Sequence, residues 1–129
     1  MEDILTIGIL CDDFEKSKNF YVQYLDFEVK LDEVLQFDDI SIRRLILKHR
    51  FLKYFDIEFH KPSNSIEIDR IGKLGGTINL FTIETKNLDM VMESLKDSNS
   101  VINFNETPYA NFLTLVDPMG NQICLYQTA

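Results

Sequence analysis

The chain has 129 residues, of which 45% are hydrophobic, and its 13 basic and 21 acidic side chains give a formal net charge of -8. This length and apolar content suit one domain with a sizeable core and are too small for two ordinary independent domains. Because the excess negative charge repels phosphate backbones and anionic lipid headgroups, nucleic acid and membrane surfaces are disfavoured as partners.

The sequence also predicts the compartment. No stretch approaches the roughly 20 apolar residues of a membrane span, and Glu2 and Asp3 stand where a signal peptide needs basic residues. Cys11 and Cys124 lie far apart in apolar segments, which is typical of buried thiols in a reducing compartment. We therefore expect a cytoplasmic protein without a disulfide.

The first half of the chain predicts one strand, one helix and three further strands. Asp12 is expected to cap the helix, with Glu15 as its reciprocal partner. After the helix, apolar and polar residues alternate from Phe27, which is typical of a strand with one wet face. Strands are predicted over residues 4–11, 27–32, 40–48 and 54–60.

The second half repeats this order after a connector, residues 63–74, which is rich in turn-forming residues. Asn87 is expected to cap a helix whose apolar stripe has a period typical of one buried face. That stripe consists of Leu88, Val91, Met92 and Leu95. Strands are predicted over residues 77–84, 101–104, 111–116 and 122–127. The sequence thus predicts a single α+β domain of two βαβββ modules, residues 1–62 and 75–129.

Motifs at both ends of this repeat resemble those of a known family. Residues 4–17 read ILTIGILCDDFEKS, and they are followed by Phe20-Tyr21 and by LDFEV at 25–29. This is similar to the opening of vicinal oxygen chelate proteins, which runs strand, Asp-Leu-Glu-Lys-Ser, Phe-Tyr, Leu-Gly-Phe. Residues 117–125, DPMGNQICL, resemble their closing Asp-Pro-x-Gly-Asn signature. The chain therefore resembles the glyoxalase, bleomycin-resistance and dioxygenase superfamily.

The resemblance implies eight strands around a cup, with helices on the convex side and the ligand on the concave side. If Ile57 and Phe59 face the helices, the alternation of a strand turns Asp56, Glu58 and His60 toward the cup. Arg44 is added because it interrupts the apolar face of the third strand, and Phe112 because it lies near the last two strands. The predicted ligand-binding residues are Thr6, Arg44, Glu58, His60, Leu80, Phe112, Cys124 and Tyr126.

Metal-dependent members of the resembled family carry a His or Glu ligand on the first, fourth, fifth and eighth strands. Glu58 matches the fourth-strand ligand, whereas Thr6, Leu80 and Cys124 occupy the other three positions. One carboxylate and one thiol are not the ligand set that hard divalent ions require. We therefore expect no metal cofactor.

The charged candidates each have an alternative interpretation. Glu58 either binds a cation or acts as a catalytic base, or it is a structural residue that pairs with Arg44. Arg44 either needs a carboxylate or an anionic ligand, or protects an exposed strand edge. His60 either contacts the ligand or is a solvated residue at the rim.

The remaining candidates also have two interpretations. Cys124 is either a nucleophile or a small apolar wall residue, and the second interpretation is favoured because no imidazole is identified as its base. Phe112, Tyr126 and Tyr109 either stack on a planar ligand or belong to the core.

These observations lead to one preferred function and two alternatives. The preferred function is metal-independent binding of a small molecule by a homodimer, similar to the antibiotic-sequestering branch of the superfamily. The net charge mildly favours a cationic compound. The first alternative is a glyoxalase-like lyase, isomerase or dioxygenase that uses Glu58 as base or metal ligand. The second is a dimeric interaction module without a small ligand.

Overall fold

A computed structural model describes residues 3–129, which form eight strands and three helices. The chain divides into two compact units, residues up to Asp69 and Arg70–Ala129. This boundary falls inside the predicted connector. The longest helix in the described part of the chain has 11 residues, and none has the length and hydropathy needed to cross a bilayer.

The two modules have the same element order, as predicted. The elements of the first module are β1 (Leu5–Leu10), α1 (Phe14–Tyr24), β2 (Phe27–Phe37), β3 (Ile40–His49) and β4 (Phe55–His60). A short helix, α2 (Ser65–Arg70), spans the boundary. The elements of the second module are β5 (Phe81–Glu84), α3 (Leu88–Leu95), β6 (Val101–Glu106), β7 (Ala110–Val116) and β8 (Gln122–Thr128).

Each module builds one mixed four-stranded sheet. The strand orders are β1-β4-β3-β2 and β5-β8-β7-β6. In both sheets the first strand is parallel to its neighbour, and the other pairings are antiparallel. The repeat of one topology confirms the predicted α+β class and the two βαβββ modules.

The core of the first module lies between its sheet and α1. Ile57 is fully buried, and the ring of Phe59 lies 5.9 Å from Phe14 and 5.8 Å from Tyr21, both in α1. Because side chains alternate along β4, the intervening Glu58 lies on the opposite face of the sheet. The predicted orientation of this strand is therefore confirmed.

The core of the second module is built by the apolar stripe of α3. Leu88, Val91 and Leu95 are buried, as are Ile123 and Leu125 of β8. The helix begins at the predicted residue, but the side chain of Asn87 makes no capping hydrogen bond. The backbone N–H of Leu88 instead donates to the side-chain oxygen of Gln127 at 3.1 Å. A side chain distant in sequence thus replaces the expected local cap.

The cap of α1 is Asp13, so the prediction of Asp12 is wrong by one residue. The Oδ1 atom of Asp13 accepts a hydrogen bond from the backbone N–H of Lys16 at 3.1 Å. Glu15, the expected reciprocal partner, pairs instead with Lys18 at 2.9 Å and Arg43 at 2.6 Å. Because the cap lies at Asp13, the capping-box position three residues later is Lys16, and Glu15 is free to pair with cations of α1 and β3.

β5 begins at Phe81, so the prediction of a strand from Thr77 is wrong. Hydrogen bonds typical of turns, from Gly76 N–H to Lys73 O and from Ile78 N–H to Gly75 O, occupy this segment. Leu80 consequently precedes the strand, although its N–H donates to Gln122 O at 2.7 Å. Gly75 and Gly76 lie in these turns, and Gly76 has a positive φ angle.

The connector contains α2, which the sequence analysis did not predict. The side-chain oxygen of Asn64 accepts a hydrogen bond from the backbone N–H of Glu67 at 2.8 Å. The carboxylate of Glu67 accepts one from the backbone N–H of Ser63 at 3.1 Å. These reciprocal bonds form a capping arrangement at the start of the helix. Asn64 with Glu67 three residues later was the sequence signal for it.

Candidate functional site

A cavity of about 800 Å³ opens in the first module, where β3 runs past the end of β4. Pairing between these strands begins at Leu45 and Phe59, so residues 40–44 extend beyond β4. They form one wall of the cavity. The other walls are residues 58–63 and the segment 11–14, which joins β1 to α1.

Three of the predicted ligand-binding residues lie together in the lining of this cavity. We call these residues, Arg44, Glu58 and His60, the charged cluster. The Nε atom of Arg44 donates to Oε2 of Glu58 at 3.3 Å. The Nε2 atom of His60 lies 3.9 Å from Oε1 of the same carboxylate. Glu58 thus pairs with Arg44, as its structural alternative predicted, and its 18% exposure keeps the carboxylate accessible from the cavity.

Gly8 makes room for the imidazole of the cluster. It is paired in register with Glu58, and a Cβ atom at this position would lie 3.1 Å from Cδ2 and 3.3 Å from Nε2 of His60. The missing side chain therefore allows the ring to lie across β1 beside Glu58. Strand alternation in the sequence already turns Gly8 toward the cup, together with Thr6, and a glycine inside an apolar strand indicates a close approach of another group.

Arg43 also lines the cavity, but its charge is already balanced. It forms two hydrogen bonds of 2.9 Å with Asp32 and one of 2.6 Å with Glu15. The bonds with Asp32 and then Glu15 raise the pKa of Arg43, and the hydrogen bond from Arg43 lowers the pKa of Asp32. This side chain joins β3 to β2 and α1.

Thr6 lies outside the cavity wall. It is exposed in β1 and paired in register with Asp56, on the same face of the sheet as Glu58. Asp56 is buried and forms an ion pair of 2.5 Å with Lys30. Thr6 therefore lies two residues farther along the sheet than the position paired with Glu58, and it does not line the cavity.

The other predicted site residues belong to the second module. Cys124 is 5% exposed, and burial raises the pKa of its thiol, so the protonated form dominates near neutral pH. The raised pKa disfavours the interpretation of a nucleophile, and Cys124 does not line the cavity of the first module. The rings of Phe112 and Tyr126 stack on each other with centroids 5.8 Å apart. Leu80 precedes β5 and contributes its backbone N–H to the sheet.

His49 has a structural role that the sequence did not reveal. Its Nδ1 atom accepts the backbone N–H groups of Phe51 at 3.2 Å and Leu52 at 2.9 Å, at the turn after β3. Burial lowers the pKa of His49, which favours the neutral ring that can accept these bonds. His60 is therefore the histidine that faces a cavity.

The residues at the four metal-ligand positions of the resembled family do not fit a divalent ion. Thr6 and Leu80 are not His or Glu, Cys124 offers a single buried thiol, and Glu58 is bound to Arg44. Within residues 3–129, no three His, Cys, Asp or Glu side chains are grouped so that they could hold a metal.

A family model described as Glyoxalase/Bleomycin resistance protein/Dioxygenase superfamily matches residues 3–125. The chain therefore belongs to this superfamily, which confirms the resemblance seen in its two terminal motifs. Comparison with curated proteins gives no significant match.

Solved structures share the fold at low sequence identity. UcmS2 is 19% identical over 98% of both chains, with a TM-score of 0.76. TnmS3, an antibiotic binding protein from Streptomyces sp. CB03234, is 19% identical over 100% of this chain and 98% of its own, with a TM-score of 0.72. A superfamily member from Sphaerobacter thermophilus DSM 20745 is 20% identical over 98% of both chains, with a TM-score of 0.70.

Proposed function

We propose that this protein binds a small organic molecule, without a metal ion, in the cavity of the first module. The observation that carries the proposal is the cavity itself, because its volume of about 800 Å³ lies within the range of small-molecule sites. Phe14 and Ile42 provide apolar walls, and the charged cluster supplies polar groups that orient a ligand.

The comparisons support this choice among the functions of the superfamily. TnmS3 is described as an antibiotic binding protein and shares the fold. Binding by shape and a few polar contacts requires no metal ligands, which agrees with Thr6, Leu80 and Cys124 at three of the four family positions. A cavity of this size also favours a ligand-binding protein over an interaction module without one.

A cavity-filling variant tests the proposal. We would screen a library of small aromatic and aliphatic compounds by the amide chemical shifts of the ¹⁵N-labelled protein. Hits should shift the amides of residues 40–44 and 58–63, and Ile42→Trp should abolish these shifts because the indole occupies the cavity. Val34→Trp is the matched control, since Val34 is also exposed on the β2–β3 hairpin but does not line the cavity. If no compound shifts the wall residues, the proposal fails.

We expect the purified protein to carry no stoichiometric zinc, nickel, manganese or iron, because Thr6, Leu80 and Cys124 replace three of the four His or Glu ligands of the family. Elemental analysis by mass spectrometry after dialysis measures this. About one tightly held ion per chain, lost in Glu58→Gln, would show instead that Glu58 belongs to an unusual metal site.

We also propose that the chain forms a homodimer. Large apolar side chains are exposed on one face of the β2–β3 hairpin, namely Phe37, Ile40 and Ile42. Exposed apolar patches of this kind mark association surfaces. Sedimentation at high micromolar concentration should give twice the 15.1 kDa mass of one chain. A species of the single-chain mass under these conditions would contradict the dimer.

A further inference from the structure

The charge around the cavity differs from that of the whole chain. The chain has 21 acidic and 13 basic side chains, whereas the cavity wall contains Arg43, Arg44 and Lys61 against Asp12 and Glu58, with His60 beside them. The net charge of the chain therefore does not describe the potential that a ligand meets in the cavity. Charges close to the cavity determine this potential, because surface charges farther than about 8–10 Å away are screened at physiological salt.

Arg44 has hydrogen-bonding capacity that its carboxylate neighbours leave unused. Its Nε atom donates to Glu58 at 3.3 Å, and Nη1 lies 3.8 Å from Glu33, which is too long for a hydrogen bond. The side chain is 40% exposed in the cavity wall. The two terminal nitrogens of the guanidinium are therefore able to bind two oxygens of one ligand group, in the planar arrangement that matches a carboxylate.

Lys61 adds a second cation that is not committed to another residue. It lines the cavity, is exposed, and forms no ion pair or side-chain hydrogen bond with the described residues. Arg43 differs, because Asp32 and Glu15 occupy its guanidinium. Arg44 and Lys61 are thus the cations of the cavity wall whose N–H groups are available to a ligand.

Because Asp32 and Glu15 balance Arg43, the remaining cations of the wall, Arg44 and Lys61, stand against two carboxylates, Glu58 and Asp12. Glu58 already accepts from Arg44 and has His60 at 3.9 Å. Asp12 is exposed and remains the opposing carboxylate. The attraction for an anion therefore rests on the unused donors of Arg44 and Lys61 and not on an excess of positive charge.

Building on the proposed function, we infer that the ligand of this cavity carries an anionic group of the carboxylate type, which Arg44 and Lys61 bind while the apolar residues contact its hydrocarbon part. This class differs from the cationic compound that the net charge of the chain favours. An anion bound by Arg44 lies next to His60, whose ring occupies the space that the absent side chain of Gly8 leaves.

Three probes that share a phenyl ring and differ in charge test the inference: benzoate, neutral benzamide and benzylammonium. We would titrate each into the ¹⁵N-labelled protein at constant ionic strength and follow the amides of residues 40–44 and 58–63. Benzoate should bind at least about fivefold more tightly than the other two, the ratio expected for one charge-assisted contact of about 1 kcal/mol. Arg44→Gln and Lys61→Gln should each weaken benzoate by about the same factor.

Lys48→Gln is the matched control for Arg44→Gln. Lys48 lies on the same strand and the same face of β3, loses the same charge, and pairs with Glu28 outside the cavity wall. It should leave benzoate binding unchanged, whereas an equal loss would show general electrostatic attraction and overturn the assignment. If Arg44→Gln does not fold, Lys61→Gln decides the question, because Lys61 is exposed and without a side-chain partner in the described structure.

The outcomes separate this inference from the proposed function. Tighter binding of benzylammonium or benzamide at the cavity residues would overturn the anionic ligand and leave small-molecule binding intact. A failure of all three probes and of the compound library to shift these residues would overturn both.

Discussion

Ile57→Ala is expected to lower the free energy of unfolding by about 2 to 5 kcal/mol, the usual cost of truncating a buried aliphatic side chain. Ile57 is 0% exposed and lies in β4 on the face that packs against α1. The truncation removes apolar contacts and leaves a cavity that the neighbouring side chains fill only in part. Chemical denaturation monitored by circular dichroism measures the loss.

Glu58→Ala is the matched control one residue along the same strand. Its carboxylate faces the cavity and pairs with a half-exposed arginine, so the variant should change the unfolding free energy by no more than about 1 kcal/mol. It should nevertheless alter binding at the cavity, because it removes the acceptor that holds Arg44. A greater loss of stability in Glu58→Ala than in Ile57→Ala would mean that the orientation of β4 is inverted.

Gly72→Ala is expected to destabilise the second module strongly. Gly72 has a φ angle of +76°, and a Cβ atom there would lie 2.0 Å from the carbonyl oxygen of Met119. The left-handed conformation costs alanine about 1–2 kcal/mol, and the steric overlap adds roughly 1–3 kcal/mol because the neighbour is backbone. Thermal melts should therefore show a fall of several degrees in Tm.

Gly76→Ala separates the two causes. Gly76 has a φ angle of +63°, but no atom lies within 4 Å of a Cβ at that position. This variant should lose only the conformational contribution, about 1–2 kcal/mol. Equal losses in both variants would show that the connector does not pack against the turn at Met119.

Local patterns in the sequence predicted much of the fold. The period-two alternation around Ile57 and the apolar stripe of α3 identified buried faces, because each follows from the geometry of one element. The order of these elements predicted two βαβββ modules, and the motifs at both ends identified the superfamily, which the family model confirms.

The sequence was less reliable where a distant group competes with a local one. It placed Asn87 at the start of α3 correctly, but Gln127 supplies the hydrogen bond to the first turn. Glu15 lies outside the capping-box position and pairs with Arg43 of β3. Both pairings depend on a partner that is far away in sequence and becomes a neighbour only after the sheet has formed.

The candidate site shows the same division. Residue type and strand position in the sequence selected Arg44, Glu58 and His60 and left the pairing of Glu58 with Arg44 as one alternative, which only the tertiary structure decided. Their contacts depend on the register of β3 and β4, which pairs Ile46 with Glu58, and on the approach of β1 that sets Gly8 beneath the imidazole. Register is decided by pairing along whole strands and by the turns that join them, so no single stretch of this sequence could specify the cluster.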